Sequence, residues 1–328
     1  MSDLASIDFG PIGVVAIGRN EGERLVRCLT SLRATGCPVV YVDSGSTDGS
    51  PVAAAKLGAQ VVPLDMARPF TAARARAEGV AALEAAQPGL DGIFFIDGDC
   101  ELEASFLPAA AQFLADHPDF AVACGRRRER FSDASPYNRL IDREWDTPVG
   151  EAAACGGDAL YRFSAYRAVG GFDPKMLAGE EPELCTRLRG AGWRVMRLDE
   201  PMTVHDAAMH RFGQWWNRAI RSGMGYMQAW QATRGEDRQS LYGRQIARAV
   251  FWAGVLPLAS IAFALALSPW WLLLWPGLVL LQLVRLSLRE GLFAAALAMA
   301  GKFAELRGIA RYLLEASRGG TRSALTYK

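Results

Sequence analysis

The chain has 328 residues, a formal net charge of +1 and hydrophobic side chains at 51% of its positions. This length accommodates a domain of ordinary size plus further material, and the balanced charge points to no nucleic-acid partner. The apolar residues are unevenly spread, with no charged residue between Arg248 and Arg285, whereas the first two-thirds has the composition of a soluble protein.

In chain order, Val14 to Ile17 is the first expected strand, followed by a helix carrying Leu25, Cys28, Leu29 and Leu32 at helical spacing. Asn20 is placed to cap that helix, Glu23 to complete a capping box, and Gly36 to stop it. Val39 to Val42 is a second strand, and a polar turn from Asp43 to Gly49 leads into a helix ending near Gly58. Val61-Val62 opens a third strand, Thr71 to Ala86 an alanine-rich helix, Gly92 to Ile96 a fourth strand, Ser105 to Ala115 a helix and Phe120 to Cys124 a fifth strand. Alternating strands and helices predict an α/β fold with a mostly parallel, doubly wound sheet. Between 125 and 210 the pattern is less regular. Arg126 to Arg130 is a basic run of the kind that usually forms a solvated face, Glu181 to Arg189 is helical, and Arg194 to Leu198 is a final strand.

The carboxyl-terminal third reads differently. Ala249 to Leu267 is long enough to cross a bilayer, Ser268-Pro269 breaks it, and Trp270 to Val284 is apolar again, though short and interrupted by Pro276. Arg244 and Arg248 before the first segment, with Arg285 and Arg289 after the second, place both ends of this hairpin on the cytosolic side. Leu292 to Ala300, with Lys302, Arg307 and Arg311, reads as a helix lying on the inner surface, a third span being the other option. The cationic tail (Arg318, Arg322, Lys328) favours anionic lipid. Met1 to Leu4 lacks a basic region leading into an apolar stretch, so no signal peptide is expected and the soluble part stays in the cytosol. Six scattered cysteines without a Cys-x-x-Cys pair fit reduced thiols there.

Three strand ends carry polar residues: Arg19-Asn20-Glu21, Asp43 to Gly49, and Asp97-Gly98-Asp99 after the apolar run Ile93 to Ile96. Each alone is ordinary turn chemistry. Together, at the carboxyl ends of one parallel sheet, they line the crevice where open α/β sheets bind ligands. Paired carboxylates there suit a hard divalent cation bound to a phosphate-bearing ligand. Gly179-Glu180-Glu181 opens a helix; its acids are either dipole partners or a general base. His205, after Met202 to Val204, is either structural or a third group around the same metal.

Val14 to Glu21, Val42 to Gly49, Asp97-Gly98-Asp99 and Gly179 to Gly192 together resemble the landmarks of family 2 glycosyltransferases, over about residues 10 to 215. The hydrophobic carboxyl-terminal region is similar to that of membrane-anchored bacterial members that build lipid-linked glycans or surface polysaccharides. The resemblance implies a GT-A fold and inverting transfer of a sugar from a nucleotide diphosphate donor, UDP- or GDP-linked, with UDP favoured. Asn20, Glu21, Asp43 and Ser44 would hold the nucleoside, Asp97 and Gly98 the ribose region, and Asp99, with Asp97 and His205, Mg²⁺ or Mn²⁺. Ala75 to Gly79 resembles the family's Ala-Arg-Asn-x-Gly, which makes Arg76 a diphosphate contact. Either Glu180 or Glu181 would be the base. Ser44 stands where many members carry a second acid, and Ala77 replaces the family asparagine. Gln214 to Ala219 departs from the Gln-x-x-Arg-Trp of processive synthases, which implies a single addition; Arg218 and Arg221 are further diphosphate candidates, or part of an interfacial helix.

The expected organisation is therefore a catalytic domain over 1–215, an interfacial helical linker over 216–248 and a membrane hairpin, surface helix and basic tail over 249–328. The enzyme would be multi-pass in the inner membrane with its catalytic domain on the cytoplasmic face, acting on a lipid-linked or membrane-associated acceptor. The rivals are a nucleotidyltransferase, although Gly13 to Glu21 lacks its glycine-rich, lysine-bearing loop, and a non-catalytic scaffold that binds nucleotide sugars.

Overall fold

The computed structural model describes residues 8–235 and 240–318. Met1 to Leu4, and Arg322 and Lys328 of the basic tail, lie outside the described residues. The chain divides after Ala208 into two compact units.

The first unit is built on one nine-stranded sheet. Its strands are β1 (Ile12–Gly18), β2 (Val39–Asp43), β3 (Gln60–Pro63), β4 (Gly92–Asp97), β5 (Cys100–Leu102), β6 (Phe120–Glu129), β7 (Gly150–Glu151), β8 (Ala159–Arg162) and β9 (Arg194–His205). Their order is β3-β2-β1-β4-β8-β6-β9-β5, with β7 on β9. The helices are α1 (Glu23–Arg33), α2 (Ser50–Lys56), α3 (Ala72–Ala86), α4 (Phe106–Asp116), α5 (Pro136–Glu144), α6 (Phe163–Ala168) and α7 (Glu180–Gly190).

From β3 to β4 the strands are parallel, and β6 is parallel to β9. β8 runs antiparallel between β4 and β6, and the short β5 and β7 pair antiparallel with β9. The sheet is therefore mixed, with its longer ladders parallel. Val14, Val15, Phe94, Phe95 and Ile96 are fully buried, because helices cover both faces of the central strands. α3 approaches closely because Gly79 has no side chain; a Cβ there would lie 2.5 Å from Val15 and 2.8 Å from Val42. The chain order reverses beside β1: β2 and β3 lie to one side and β4 to the other. That switch point opens the crevice at the carboxyl ends.

Two local expectations change. Gly22, not Asn20, precedes the first helical residue of α1. Asn20 instead adopts φ 55°, a left-handed conformation that asparagine tolerates, and accepts the Thr47 N–H at 2.7 Å. The basic run is no solvated face: β6 continues through it to Glu129, with Arg128 exposed, Arg127 half-buried and Glu129 buried. Strand alternation sends Arg127 and Glu129 to one side.

The second unit is helical: α8 (Phe212–Thr233), α9 (Gly243–Val250), α10 (Leu256–Ala266), α11 (Leu274–Glu290) and α12 (Leu292–Ser317). A π-helical turn, Phe251–Val255, joins α9 to α10, so Gly243–Ala266 is continuous over 24 residues; Pro269–Glu290 spans 22. Both are long and apolar enough to cross a membrane. Pro276 does not interrupt the second segment, because it lies in the first turn of α11, where no intrahelical N–H is needed. α12 runs past Ala300 to Ser317 and packs on α8, with Gly223 against the Glu305 backbone and Gly308 against that of Ile220.

Candidate active site

The loops after β1 and β2 are stitched together by their own polar groups. Asp43 is buried; its Oδ2 accepts the Gly45 and Ser46 N–H groups at 3.0 and 2.8 Å, and its Oδ1 accepts the Tyr41 hydroxyl at 3.0 Å. The Asn20 N–H donates to Ser46 Oγ at 2.8 Å, and the Ser44 N–H to the Gly18 carbonyl at 3.0 Å. Glu21 is buried and paired with Arg24 at 2.9 Å. Gly98 closes against this group: its N–H donates to the Ile17 carbonyl at 2.7 Å, and a Cβ would meet that oxygen at 3.0 Å and Glu21 Cγ at 3.4 Å. Asn20, Glu21, Asp43, Ser44 and Gly98 therefore converge at the ends of β1, β2 and β4.

Beside them, Arg76 anchors a buried ion cluster. Its side chain is 2% exposed; Nη2 donates to Asp97 Oδ1 at 2.9 Å, while Nη1 lies 2.8 Å from Glu180 Oε1 and 2.9 Å from Glu181 Oε1. Arg76 is thus not a cation projecting toward a donor diphosphate, because α3 is buried at that point and the guanidinium is engaged by three carboxylates. Arg127 Nη2 takes the other Asp97 oxygen at 3.0 Å and reaches Asp158 Oδ1 at 2.6 Å. Asp158 is fully buried, and also accepts the Asp97 N–H at 3.0 Å and the Thr203 hydroxyl at 2.6 Å. Gly157 makes this possible: a Cβ there would sit 2.7 Å from Arg76 Nη2 and 2.9 Å from Asp97 Oδ2.

The electrostatics sort these acids. Burial alone would raise the Asp97 carboxyl, but Arg76 and Arg127 outweigh it and hold it below the ordinary range. Glu181 moves the other way: burial and the neighbouring Glu180 charge, only partly offset by Arg76, push it up to about 7. One guanidinium therefore holds an ionised Asp97 and a Glu181 poised to exchange a proton near neutral pH.

Asp99 and His205 form a second focus. Asp99 Oδ2 and His205 Nε2 are 3.3 Å apart, both buried. The β5–β9 register sets Cys100 opposite His205 and so carries Asp99 to the imidazole. Burial would lower the imidazole, but the Asp99 carboxylate and the Glu129 hydrogen bond bring it up to about 9. Asp99, Cys100 and His205 offer atoms within 4.8 Å of one another. Burial holds the Cys100 thiol protonated, which leaves Asp99 Oδ2 and His205 Nε2 as the atoms that would hold Mg²⁺ or Mn²⁺, the ion displacing the proton that this imidazole otherwise keeps near neutral pH. Asp97, expected beside them, has both oxygens engaged by arginines.

Arg218 and Arg221 lie on α8, in the second unit. Arg127, Glu129, Asp158 and Thr203 were not singled out from sequence. A signal existed for two of them: if the strand that begins at Phe120 is continued through the basic run, the alternation of side chains along it places Arg127 and Glu129 on one face. Nothing local marks Asp158 or Thr203.

The sheet, with an acid-lined crevice at its strand ends, has the GT-A-type α/β architecture. The model of the family Glycosyl transferase family 2 matches residues 14–170, so the first unit carries a domain of that family. It is similar to the succinoglycan biosynthesis protein ExoA of Rhizobium meliloti, 28% identical over 57% of this chain and 60% of that protein. It is also similar to the pre-mycofactocin glycosyltransferase of Mycobacterium tuberculosis, 29% identical over 60% of this chain and 42% of that one. The alignments thus span well under two-thirds of these relatives. In fold it is similar to a mannosyltransferase from Pyrobaculum calidifontis solved with GDP-Man and Mn²⁺ (TM-score 0.58, 17% identity, 94% of this chain and 90% of that one).

Proposed function

We propose that this protein is an inverting, divalent-metal-dependent enzyme that moves one sugar from a nucleotide diphosphate donor, UDP-linked by preference, to a lipid-linked or membrane-proximal acceptor. The carrying observation is the Asp99–His205 pair at 3.3 Å, set in the same crevice as the Arg76-linked acids. The donor set fits a hard cation, and the similar mannosyltransferase was solved with Mn²⁺ and GDP-Man.

When bound to Asp99 and His205, Mg²⁺ or Mn²⁺ supplies positive charge to the departing diphosphate. The chain does the rest. The Asn20, Glu21, Asp43, Ser44 and Gly98 cluster forms the wall that receives the nucleoside, and Asp97, fixed by Arg76 and Arg127, is held toward the ribose. Glu181 takes the proton from the acceptor hydroxyl as that oxygen attacks the anomeric carbon from the face opposite the leaving group. Of the two candidate acids Glu181 is the better base, because it is the more exposed (15% against 5% for Glu180) and its carboxyl is pushed up to about 7.

Gly243–Ala266 and Pro269–Glu290 supply membrane association. With arginines flanking both, the positive-inside rule supports a multi-pass inner-membrane protein whose catalytic domain is cytoplasmic, working on an acceptor at the anionic inner leaflet. Similarity to a succinoglycan biosynthesis protein supports polysaccharide or lipid-linked glycan assembly as the setting.

The test is a screen of sugar nucleotides for metal-dependent release of UDP or GDP by the full-length chain in detergent. Release from one donor only, abolished in Asp99→Ala, is the expected result. Silence with every donor in the presence of Mn²⁺ and Mg²⁺ removes the proposal.

A further inference from the structure

Glu129 and His205 are partners in the parallel β6–β9 ladder, so their side chains leave the same face of the sheet. Two irregularities in that ladder, at Cys124/Arg126 and Arg126/Arg127, create the match by giving β9 extra residues relative to β6. The same shift sets Arg127 beside Thr203.

The Glu129 side chain is fully buried, and both its oxygens are occupied. Oε2 accepts the Ala207 N–H at 3.0 Å and faces His205 Nδ1 at 3.2 Å. Oε1 accepts the Phe131 N–H at 3.2 Å and the Asn138 amide at 3.4 Å. Asn138 is itself fixed, its amide donating to the Phe131 carbonyl at 3.0 Å and its backbone N–H to Ser135 Oγ at 2.9 Å. Both Glu129 oxygens are turned to N–H donors, and the geometry assigns the hydrogen of the imidazole contact to Nδ1, donated to Oε2. The other ring nitrogen, Nε2, is then the one turned toward Asp99. The Trp145 ring packs edge-on at 4.7 Å between centroids and restricts rotation of the imidazole.

We propose that Glu129 is a positioning residue: it fixes the ring orientation and tautomer of His205 so that Nε2 and Asp99 Oδ2 serve one divalent ion together. The inference rests on the metal-dependent reading above. A carboxylate behind a ligating histidine orients it and raises its basicity, and losing such a partner typically weakens metal binding 10- to 100-fold. A purely structural Glu129 would only need to accept the Ala207 and Phe131 N–H groups, which a glutamine oxygen can do in part. A glutamine does not impose the Nδ1–H tautomer, because its amide both donates and accepts.

The experiment is a titration of the full-length chain with Mn²⁺ alone, followed by electron paramagnetic resonance, with ¹⁴N spin-echo modulation as the signature of a bound imidazole. Glu129→Gln is expected to bind Mn²⁺ about 10- to 100-fold more weakly, with reduced ¹⁴N modulation and a folded far-ultraviolet dichroism spectrum. Glu101→Gln, which removes an equal charge on neighbouring β5 where the residue pairs with Arg27 and Arg130, is expected to match the wild type in Mn²⁺ affinity and modulation. Should the glutamine variant fail to fold, Glu129→Asp keeps the charge, withdraws the oxygen by one methylene and is expected to lose about tenfold. Wild-type affinity and modulation in a folded Glu129 variant overturn the positioning role. A wild-type chain that binds no Mn²⁺ overturns the metal-dependent reading itself, and the role falls with it.

Discussion

Arg76 and Asp97 meet at 2.9 Å, and the opposite nitrogen of the same guanidinium holds Glu180 and Glu181. The end of β4 and the start of α7, more than 80 residues apart in sequence, are thereby locked through one side chain from α3.

Removing that side chain leaves Glu180 and Glu181 crowded without their cation, and Asp97 with Arg127 alone. Arg76→Met is therefore expected to cost about 3–5 kcal/mol, the usual penalty for breaking a buried pair from one side. It reads out as a lowered midpoint in thermal unfolding followed by circular dichroism. Arg76→Lys, with one compact ammonium, cannot span both groups and should recover only part of the loss. A melting point unchanged in Arg76→Met would show that the cluster contributes nothing to stability.

Glu181 sets a pH dependence. Because its carboxyl is pushed up to about 7, the base is protonated and idle below that value, and kcat/KM should rise through about pH 7 to a plateau. Glu180→Gln removes the like charge that helps raise it, so the rising limb should move to lower pH. Glu181→Gln should reduce kcat by roughly 10²- to 10⁴-fold and flatten the limb. A limb still centred near 7 in Glu181→Gln would assign it to another group. The stability sign runs the same way: a carboxyl raised in the folded state favours folding at low pH, and that contribution is lost as pH rises through about 7.

Asp99→Asn should leave the far-ultraviolet dichroism spectrum intact and reduce donor turnover by roughly 10²- to 10³-fold or more, the scale of losing a group that stabilises charge in the transition state. Chelation of the wild type with EDTA should give the same loss, reversed by Mn²⁺ or Mg²⁺. The chelated variant should fall no further. Additional loss on chelation would show that His205 still holds metal without Asp99.

Gly157→Ala tests the packing of the ion cluster. Its φ is not in the left-handed region, so the cost is steric: the new methyl would lie 2.7 Å from Arg76 and 2.9 Å from Asp97. Overpacking of this kind costs about 1–3 kcal/mol, and parting Arg76 from Asp97 should lower turnover with it. Calorimetric melting and the donor assay on the same preparation check both.

Much of this was legible in the sequence, where the relevant physics is local. The strand ends just before Asn20, at Asp43 and at Asp97 follow from short apolar runs, and the buried face of α1 from its spacing. The two membrane-length helices follow from a charge-free stretch. Asp97, Asp99 and Glu181 stand out as candidates in the sequence because they sit just where those elements begin or end.

Only the tertiary structure decided who faces whom. Arg127 sits in a run that reads as solvated until β9 pairs with β6 and buries it against Asp97 and Asp158. Glu129 meets His205 from 76 positions away because two ladder irregularities shift the register by a few residues. Arg76 changes from a ligand contact to an internal counter-ion once Asp97, Glu180 and Glu181 close around it. Sequence periodicity fixes which way a side chain points within its own element. Whether a charge ends in water or against an opposite charge depends on the partner that long-range pairing brings, and no local pattern encodes that.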